Sequence, residues 1–408
     1  MSMDKTDIQQ AVILAGGRGT RLRPYTDSHP KPMYAVGGVP YIEYLIKQIK
    51  GFGMDKALLL LGYMPNQIMD YLGDGSEYGI HIEYDITPEE YDTGQRIIHA
   101  YDRLHDSFLL MYCDNYCPID FERLCLDFYE KDSKIQVSVY SNKDNYTKSN
   151  LKLDKDGKVL IYDKKREFAG LQGVDIGYAL IQKDVIRYMW NNKRSDNFEA
   201  AIYPLLVDEG KLFGTVTEHR YYSIGSWERM KLTEDFFTGG PTVFLDRDGT
   251  VNKRAPKACY IEDVNDFHWI DGAREAIGLL KKNGYRVILV SNQPGIARGN
   301  LNEETLEKIH DKMQQDLNIS TGYTIDDIYY CPHDWNEGCE CRKPKPGMLY
   351  QAQKDYSLNL TKCCMFGDDE RDMEAARSAG CKGILVSETY TLLEAVNDYL
   401  AEKGRFVA

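Results

Sequence analysis

The sequence predicts an α/β protein built from two Rossmann-like domains in series, the first with a mixed sheet. Three observations carry this. Short, continuously apolar runs alternate with helix-length amphipathic segments, as in sheets covered on both faces. The pattern restarts at "FFTGGPTVF", where two glycines and a proline precede a fresh apolar run. A chain of 408 residues also exceeds one ordinary core. The expected domains are residues 1–238 and 239–408.

In the first half, "AVILAGG" is a strand ending in glycines, "PYIEYLIKQIKGFGM" a helix stopped by glycine, and "KALLLLGY" a second buried strand. "SFLLMYCDN" is a third, with Asp114 at its end. "IQVSVYSN", "LKLDKDGKVLIYDK" and "GVDIGYALI" read as strands joined by turns, "DKDGK" being a turn signal. "FEAAIYPLLVDEGK" is helical. In the second half "TVFLDRDGT", "RVILVSNQ", "CCMFGDDERD" and "KGILVS" are strands. "GAREAIGLLKKNGY", "NEETLEKIHDKMQQDL" and "MEAARSAG" are the helices between them. No insertion is large enough for a separate cap domain. Ligands of such sheets sit at the carboxyl ends of the strands.

Composition narrows the function. With 43% hydrophobic and 28% charged residues the chain is globular, and no apolar run nears the ~18 residues of a membrane span. The polar start "MSMDKTDIQQ" has no signal-peptide core, so a cytoplasmic location is expected. Fifty Lys and Arg against 63 acids give a charge of −13, which argues against nucleic acid as a partner. It leaves room for phosphorylated small molecules held by local cations. Of ten cysteines, Cys113, Cys117, Cys125, Cys259, Cys363, Cys364 and Cys381 read as ordinary buried thiols. Nothing signals an oligomeric state.

"ILAGGRGTRLRP" is neither the dinucleotide fingerprint nor the P-loop. Its glycines still let backbone N–H groups approach an anion, and Arg18, Arg21 and Arg23 add charge. Lys31 follows between two prolines in "HPKPM". At these residues the chain resembles the sugar-phosphate nucleotidyltransferases, over about residues 10–235. The resemblance implies attack of a sugar 1-phosphate on the α-phosphorus of a nucleoside triphosphate, with loss of pyrophosphate. Gly16, Gly17, Arg18, Gly19 and Arg21 would then hold the triphosphate. Lys31 would stabilise charge on the transferred group, and Asp114 would bind Mg²⁺. Thr93 and Gly94 in "YDTGQR" would lie near base and sugar, with Lys164, Asp175 and Glu199 around the sugar phosphate and hydroxyls. The family's late Asp-x-Gly, a second metal ligand, reads "SIG" here, with Ser223 in the acid's place.

"TVFLDRDGTVN" sends Asp246 and Asp248 off one strand end, one residue apart. A carboxylate nucleophile at 246 and an acid/base at 248 would suit phosphoryl transfer, and two such close acids imply Mg²⁺. Ser291 in "VSNQPGIARG", Lys343 in "CRKPKPGM" and Asp368 in "FGDDERD" complete a set that resembles the haloacid-dehalogenase-like phosphatases. In that family Ser291 and Lys343 would hold the phosphoryl group, with Asn292 beside it. Asp246, Asp248 and Asp368 would form the magnesium site. Cys331, His333, Cys339 and Cys341 have Cys-x-His-x₅-Cys-x-Cys spacing, suited to a closed structural Zn²⁺ site. Its loop would present Arg342 and Lys343 to substrate.

The loop resembles that of the D-glycero-D-manno-heptose 1,7-bisphosphate 7-phosphatases, with histidinol-phosphate phosphatases as nearest rival. The first half resembles guanylyltransferases of the GDP-mannose and GDP-heptose kind. Together these imply a bifunctional route: loss of the C7 phosphate, then transfer of GMP from GTP to heptose 1-phosphate, giving GDP-D,D-heptose. Two alternatives stay open. One is another sugar phosphate, such as mannose 1-phosphate. The other is a non-catalytic sugar-nucleotide sensor in the first half, motivated by Ser223.

Overall fold

The computed structural model describes residues 8–191, 195–256 and 259–404. The chain divides after Phe237 into two compact units. Among the described residues, no helix is long and apolar enough to cross a membrane.

The first unit is organised by seven strands: β1 Gln10–Ala15, β2 Lys56–Leu61, β3 His81–Ile86, β4 Ser107–Tyr112, β5 Ile135–Tyr140, β6 Val174–Gln182 and β7 Leu212–Thr217. Their spatial order is β7-β5-β6-β4-β1-β2-β3. Only β6 is reversed, antiparallel to β4 and to β5, so the sheet is mixed. All six residues of β1 are buried, which requires cover on both faces. The helix Tyr41–Gly51 supplies part of it, burying Ile42, Leu45, Ile46 and Ile49 at helical spacing. Each such side chain removed from water contributes about 1.5–3 kcal/mol. The β5–β6 register shifts between Asp175 and Ala179, around Gly177 at φ 80°. This irregularity re-aims the start of β6, where Asp175 lies.

The second unit has β8 Thr242–Leu245, β9 Arg286–Asn292, β10 Asp327–Cys331, β11 Cys364–Gly367 and β12 Lys382–Leu385. All neighbours are parallel, in the order β10-β9-β8-β11-β12. The chain leaves β8 toward β9 and later returns to β8's other side as β11, so β8 lies at the switch point where such sheets bind ligands. Among the described residues of 246–272, the stretch in which a cap could be inserted, there is one short helical turn, Val264–Asp266. The helix Glu303–Thr321 is capped by Asn302, whose side chain accepts from Thr305 N, and ends at Gly322. It runs one turn beyond the "NEETLEKIHDKMQQDL" segment.

The two units have separate apolar cores. Five of the seven cysteines expected to be buried are so, but Cys113 is half-buried and Cys259 is exposed.

Candidate active sites

In the second unit β8 ends at Leu245, and Asp246 N donates to Phe366 O of β11 at 2.9 Å. The Asp246 carboxylate is buried, and Lys343 Nζ donates to its Oδ1 at 2.5 Å. The same ammonium reaches Asp372 Oδ1 at 2.7 Å and the Val290 carbonyl at 2.8 Å. Burial works against the charge on Lys343, but the two acids outweigh it and raise its pKa.

Oxygens of Asp246, Asp368 and Asp372 lie within 4.8 Å of one another. Burial lifts Asp246 to about 7, with Lys343 pulling down against the charges of Asp372 and Asp248. Burial also raises Asp368, whose Oδ1 is buried without a hydrogen-bond partner. Clustered carboxylates with an orphaned oxygen fit a hard divalent cation such as Mg²⁺. Gly249, at φ 105°, lets Asp368 lean over the loop: a Cβ there would sit 1.9 Å from Asp368 Oδ2.

Asp248 lies outside this cluster. Both of its oxygens take Arg247 Nη2 at 2.9 Å, while Asn252 Nδ2 (3.0 Å) and Gln293 Nε2 (2.8 Å) complete its shell. Burial pushes its pKa up, yet Arg247, Asn252 and Gln293 together hold it below the usual range. The sequence places the Asp248 carboxylate on magnesium; the structure puts Asp372 in the acid cluster instead. The reason is Arg247, 1% exposed, which folds inward beside its neighbour and supplies the local counter-charge.

Ser291 Oγ is buried and accepts from Gln293 Nε2 at 2.7 Å. Asn292, expected beside the phosphoryl group, lines the cavity and also clamps Lys343: its Oδ1 accepts from Lys343 N and its Nδ2 donates to Lys343 O, both at 3.0 Å. Asp246, Asp248, Ser291, Asn292, Arg342 and Lys343 line one cavity of ≈ 260 Å³.

Lys343 and Arg342 follow directly on the cysteine-rich loop. Ligand atoms of Cys331, His333, Cys339 and Cys341 all lie within 4.8 Å. Cys331 Sγ is 3.6 Å from Cys339 Sγ and 3.3 Å from Cys341 Sγ, and His333 Nδ1 is 3.2 Å from Cys341 Sγ. Tetrahedral zinc with bonds of ~2.3 Å separates its sulfurs by roughly 3.8 Å, so the donor set fits. Arg342 Nη1 donates to His333 O at 3.3 Å, tying the loop to the cavity wall.

In the first unit Gly16, Gly17, Gly19, Arg21, Lys31, Thr93 and Asp114 line a cavity of ≈ 350 Å³ at the carboxyl ends of β1 and β4. Lys31 Nζ donates to Asp114 Oδ2 at 2.5 Å. Five expected contributors, Arg18, Gly94, Lys164, Asp175 and Glu199, are not among its lining residues. Arg18 pairs with Glu89 at the surface, and Gly94 packs against Met189 and Asp196 O with no room for a Cβ. Lys164 pairs with Glu199 Oε2 at 3.0 Å, and Tyr162 OH donates to the same oxygen at 3.2 Å. Asp175 Oδ1 accepts from Gly177 N, while burial and then the charge of Glu199 raise Asp175 to about 7. Tyr112 links the two groups: it lines the cavity, and the charges of Glu199 and Asp175 reach its buried hydroxyl. Ser223 pairs with Asn115, and Ile224 N donates to Asp114 O at 3.0 Å, so position 223 does lie beside Asp114. Its Oγ accepts from Gly225 N. Among the described residues, no cluster of three potential metal ligands forms around Asp114.

Residues 10–236, more than half of the chain, match the model of the nucleotidyl transferase family, and residues 340–408 match that of HAD-hydrolase-like proteins. The chain is 45% identical over 148 residues to the D-glycero-beta-D-manno-heptose-1,7-bisphosphate 7-phosphatase of Photorhabdus laumondii, covering 35% of this chain and 77% of that protein. It is 37% identical over 170 residues to the Haemophilus ducreyi enzyme of the same name, covering 40% and 92%. The chain belongs to both families. It is a bifunctional fusion, an enzyme with a nucleotidyltransferase domain followed by a haloacid-dehalogenase-like phosphatase domain.

Several residues of this fusion's sites escape a reading of motifs. Asp372 was signalled only as the acid three residues after Asp369, the N-cap and N3 positions of a capping box at the start of the helix Glu370–Ser378. Arg254, which reaches Asp368 Oδ2 at 3.0 Å and the Asp248 carbonyl at 3.2 Å, lies in an irregular stretch with no pattern. Arg96, buried in the nucleotidyltransferase domain, had no signal at all.

Proposed function

We propose that the phosphatase domain removes the C7 phosphate of D-glycero-D-manno-heptose 1,7-bisphosphate. The nucleotidyltransferase domain then joins the heptose 1-phosphate to a nucleotide, GMP from GTP, with release of pyrophosphate. The observation that carries the phosphatase half is the buried Asp246–Lys343–Asp372 cluster, its lysine following a Cys/His loop, in a domain with a 148-residue stretch 45% identical to such an enzyme. Asp246 attacks phosphorus while Lys343 and Ser291 hold the phosphoryl oxygens. The P–O bond to the sugar breaks as Asp248 gives a proton to the leaving oxygen; Asp248 then takes a proton from the water that attacks the aspartyl-phosphate at phosphorus, which breaks the Asp246 O–P bond, releases phosphate and restores Asp246. Asp246, Asp368 and Asp372 would hold Mg²⁺, which offsets their repulsion and the charge on the phosphoryl group. Zn²⁺ in the Cys331–Cys341 loop would fix the backbone that presents Arg342 and Lys343. The guanine preference rests on resemblance in the sequence. In the first domain Gly16–Gly19, Arg21 and Lys31 support binding of the triphosphate, and Lys164, Asp175 and Glu199 binding of the sugar.

The test is one incubation series. Heptose 1,7-bisphosphate, and separately heptose 1-phosphate with each of four nucleoside triphosphates and Mg²⁺, are assayed for phosphate and pyrophosphate. Phosphate from the bisphosphate, and pyrophosphate with GTP above the others, is the expected result. Asp246→Asn should abolish the first and leave the second. Faster cleavage of histidinol phosphate would overturn the phosphatase half. Ser223 beside Asp114 favours a second reading of the first domain as a sugar-nucleotide sensor. Absence of pyrophosphate with every nucleotide would select it.

A further inference from the structure

Arg96 is 3% exposed, on the helix Thr93–His99 beneath the glycine loop, and it lines the nucleotidyltransferase cavity. Its guanidinium is spent on four acceptors. Nη1 donates to Leu61 O at 2.8 Å and to Thr87 Oγ1; Nη2 donates to Gly16 O at 3.2 Å and Glu89 O at 3.1 Å. These acceptors come from the ends of β1 and β2 and the segment after β3, so one side chain ties three loops of the cavity rim. The contact is close. A Cβ on Gly16 would meet Arg96 Cζ at 2.3 Å, and one on Gly62 would meet Nη1 at 2.4 Å. A side chain at position 16 would have to displace the guanidinium packed under it.

None of the four acceptors carries a charge. Glu89 offers Arg96 only its backbone, its side chain being paired with Arg18, while the carboxylates of Asp92, which also lines the cavity, and Glu90 act on the guanidinium through their charge alone, without a hydrogen bond to it. A buried guanidinium with neutral partners is costly, because hydrogen bonds satisfy its protons but not its net charge. The neighbouring cation Lys31 is matched by Asp114. Arg96 therefore holds a standing positive charge at the floor of the cavity.

We propose that Arg96 is a positioning residue whose charge, contacted directly by no carboxylate, is completed by the polyphosphate of the nucleotide, drawing it onto the Gly16–Gly19 loop. This rests on the nucleotide-binding reading of the first domain. A field fixed before the ligand arrives needs no reorganisation when it binds. Burial also makes it less sensitive to salt than an exposed arginine would be.

The experiment is calorimetric binding of inorganic pyrophosphate, GTP and guanosine to the full chain and to Arg96→Gln and Arg96→Lys. Pyrophosphate and GTP should weaken at least tenfold in Arg96→Gln and less in Arg96→Lys, which keeps the charge without the fork. Guanosine should be unchanged in both. Wild-type protein that binds neither pyrophosphate nor GTP would sink the nucleotide reading itself. Wild-type binding that Arg96→Gln leaves intact, or an equal loss for guanosine, would sink the role given to Arg96. Thr87→Val removes one acceptor and keeps the cation, which guards against misfolded Arg96 variants. It should hold pyrophosphate within twofold of wild type. A tenfold loss would make loop geometry, not charge, the cause.

Discussion

Lys343→Met keeps most of the lysine's stem volume and removes its ammonium from between Asp246 (2.5 Å) and Asp372 (2.7 Å). Breaking a buried ion pair by deleting one partner costs about 3–5 kcal/mol, because the remaining charge is left uncompensated. Against a domain stability of about 5–15 kcal/mol, the phosphatase domain should stay folded but marginal. The acids can escape the penalty by taking up protons. Asp246, already lifted to about 7 with Lys343 in place, then moves above neutrality and ceases to be a nucleophile. A carboxyl raised by burial contributes its full stability below its unfolded value near 4 and loses it as pH rises through about 7. The destabilisation by Lys343→Met should accordingly be smaller at pH 5 than at pH 8, read from urea midpoints. Phosphate release at pH 7 should fall at least about a thousandfold, roughly 4 kcal/mol of barrier. Nucleotidyl transfer by the same polypeptide, with its own core, should continue at the wild-type rate. A variant retaining a tenth of its phosphatase activity, or destabilised equally at both pH values, would refute the reasoning.

Mg²⁺ at a hundred times its dissociation constant should stabilise the phosphatase domain by about 2.7 kcal/mol, or about 5–11 °C in its calorimetric transition. Asp368→Asn should lose that shift. Cys339→Ser should reduce zinc in the purified protein from one ion per chain to none. It should also lower phosphate release by more than about a hundredfold, since structural zinc binding is worth about 10–16 kcal/mol to folding. Ser223→Asp places a carboxylate beside Asp114 and should lower the Mg²⁺ concentration for half-maximal pyrophosphate release about tenfold. An unchanged titration would show that position 223 does not face the metal.

What the sequence made legible was local. Asp246, Ser291 and Asp368 sit at the ends of apolar strands, and a strand end fixes where its next residue points. The four zinc-loop residues lie within eleven positions of one another, so their spacing already implied their meeting. Roles that depend on a partner across the fold were hidden. Arg18 looks like an anion ligand until Glu89 arrives from the far end of β3 to take it. Arg23 is likewise occupied, by Asp27 at 3.1 Å. Asn292 reads as a pocket residue and does line the cavity, but nothing near it in sequence shows that it also holds the backbone of Lys343. Cys259, expected inside, lies in an irregular stretch where apolar periodicity gives no face to bury. The helix Glu303–Thr321 outruns its predicted end because Leu317 is its last buried apolar residue, and beyond it only Gly322 marks a stop.

The two cavities answer the same problem, a dense anion, with their cations committed differently. In the phosphatase domain four cations already face acids: Arg247 on Asp248, Arg254 on Asp368, Arg371 on Asp369 and Lys343 on Asp246 and Asp372. Arg342, which also lines that cavity, donates to the His333 carbonyl, so most of the positive charge there stays committed to acids until a divalent ion enters the acid cluster. In the nucleotidyltransferase domain Lys31 is matched by the one strand-end acid, while Arg96 has only neutral acceptors. That cavity is cationic before any metal binds, which suits a triphosphate that brings its own magnesium. The absence of a carboxylate at position 223 then has a physical counterpart. A domain that holds polyphosphate by fixed charge and backbone N–H groups has less need of a second protein ligand to anchor the ion.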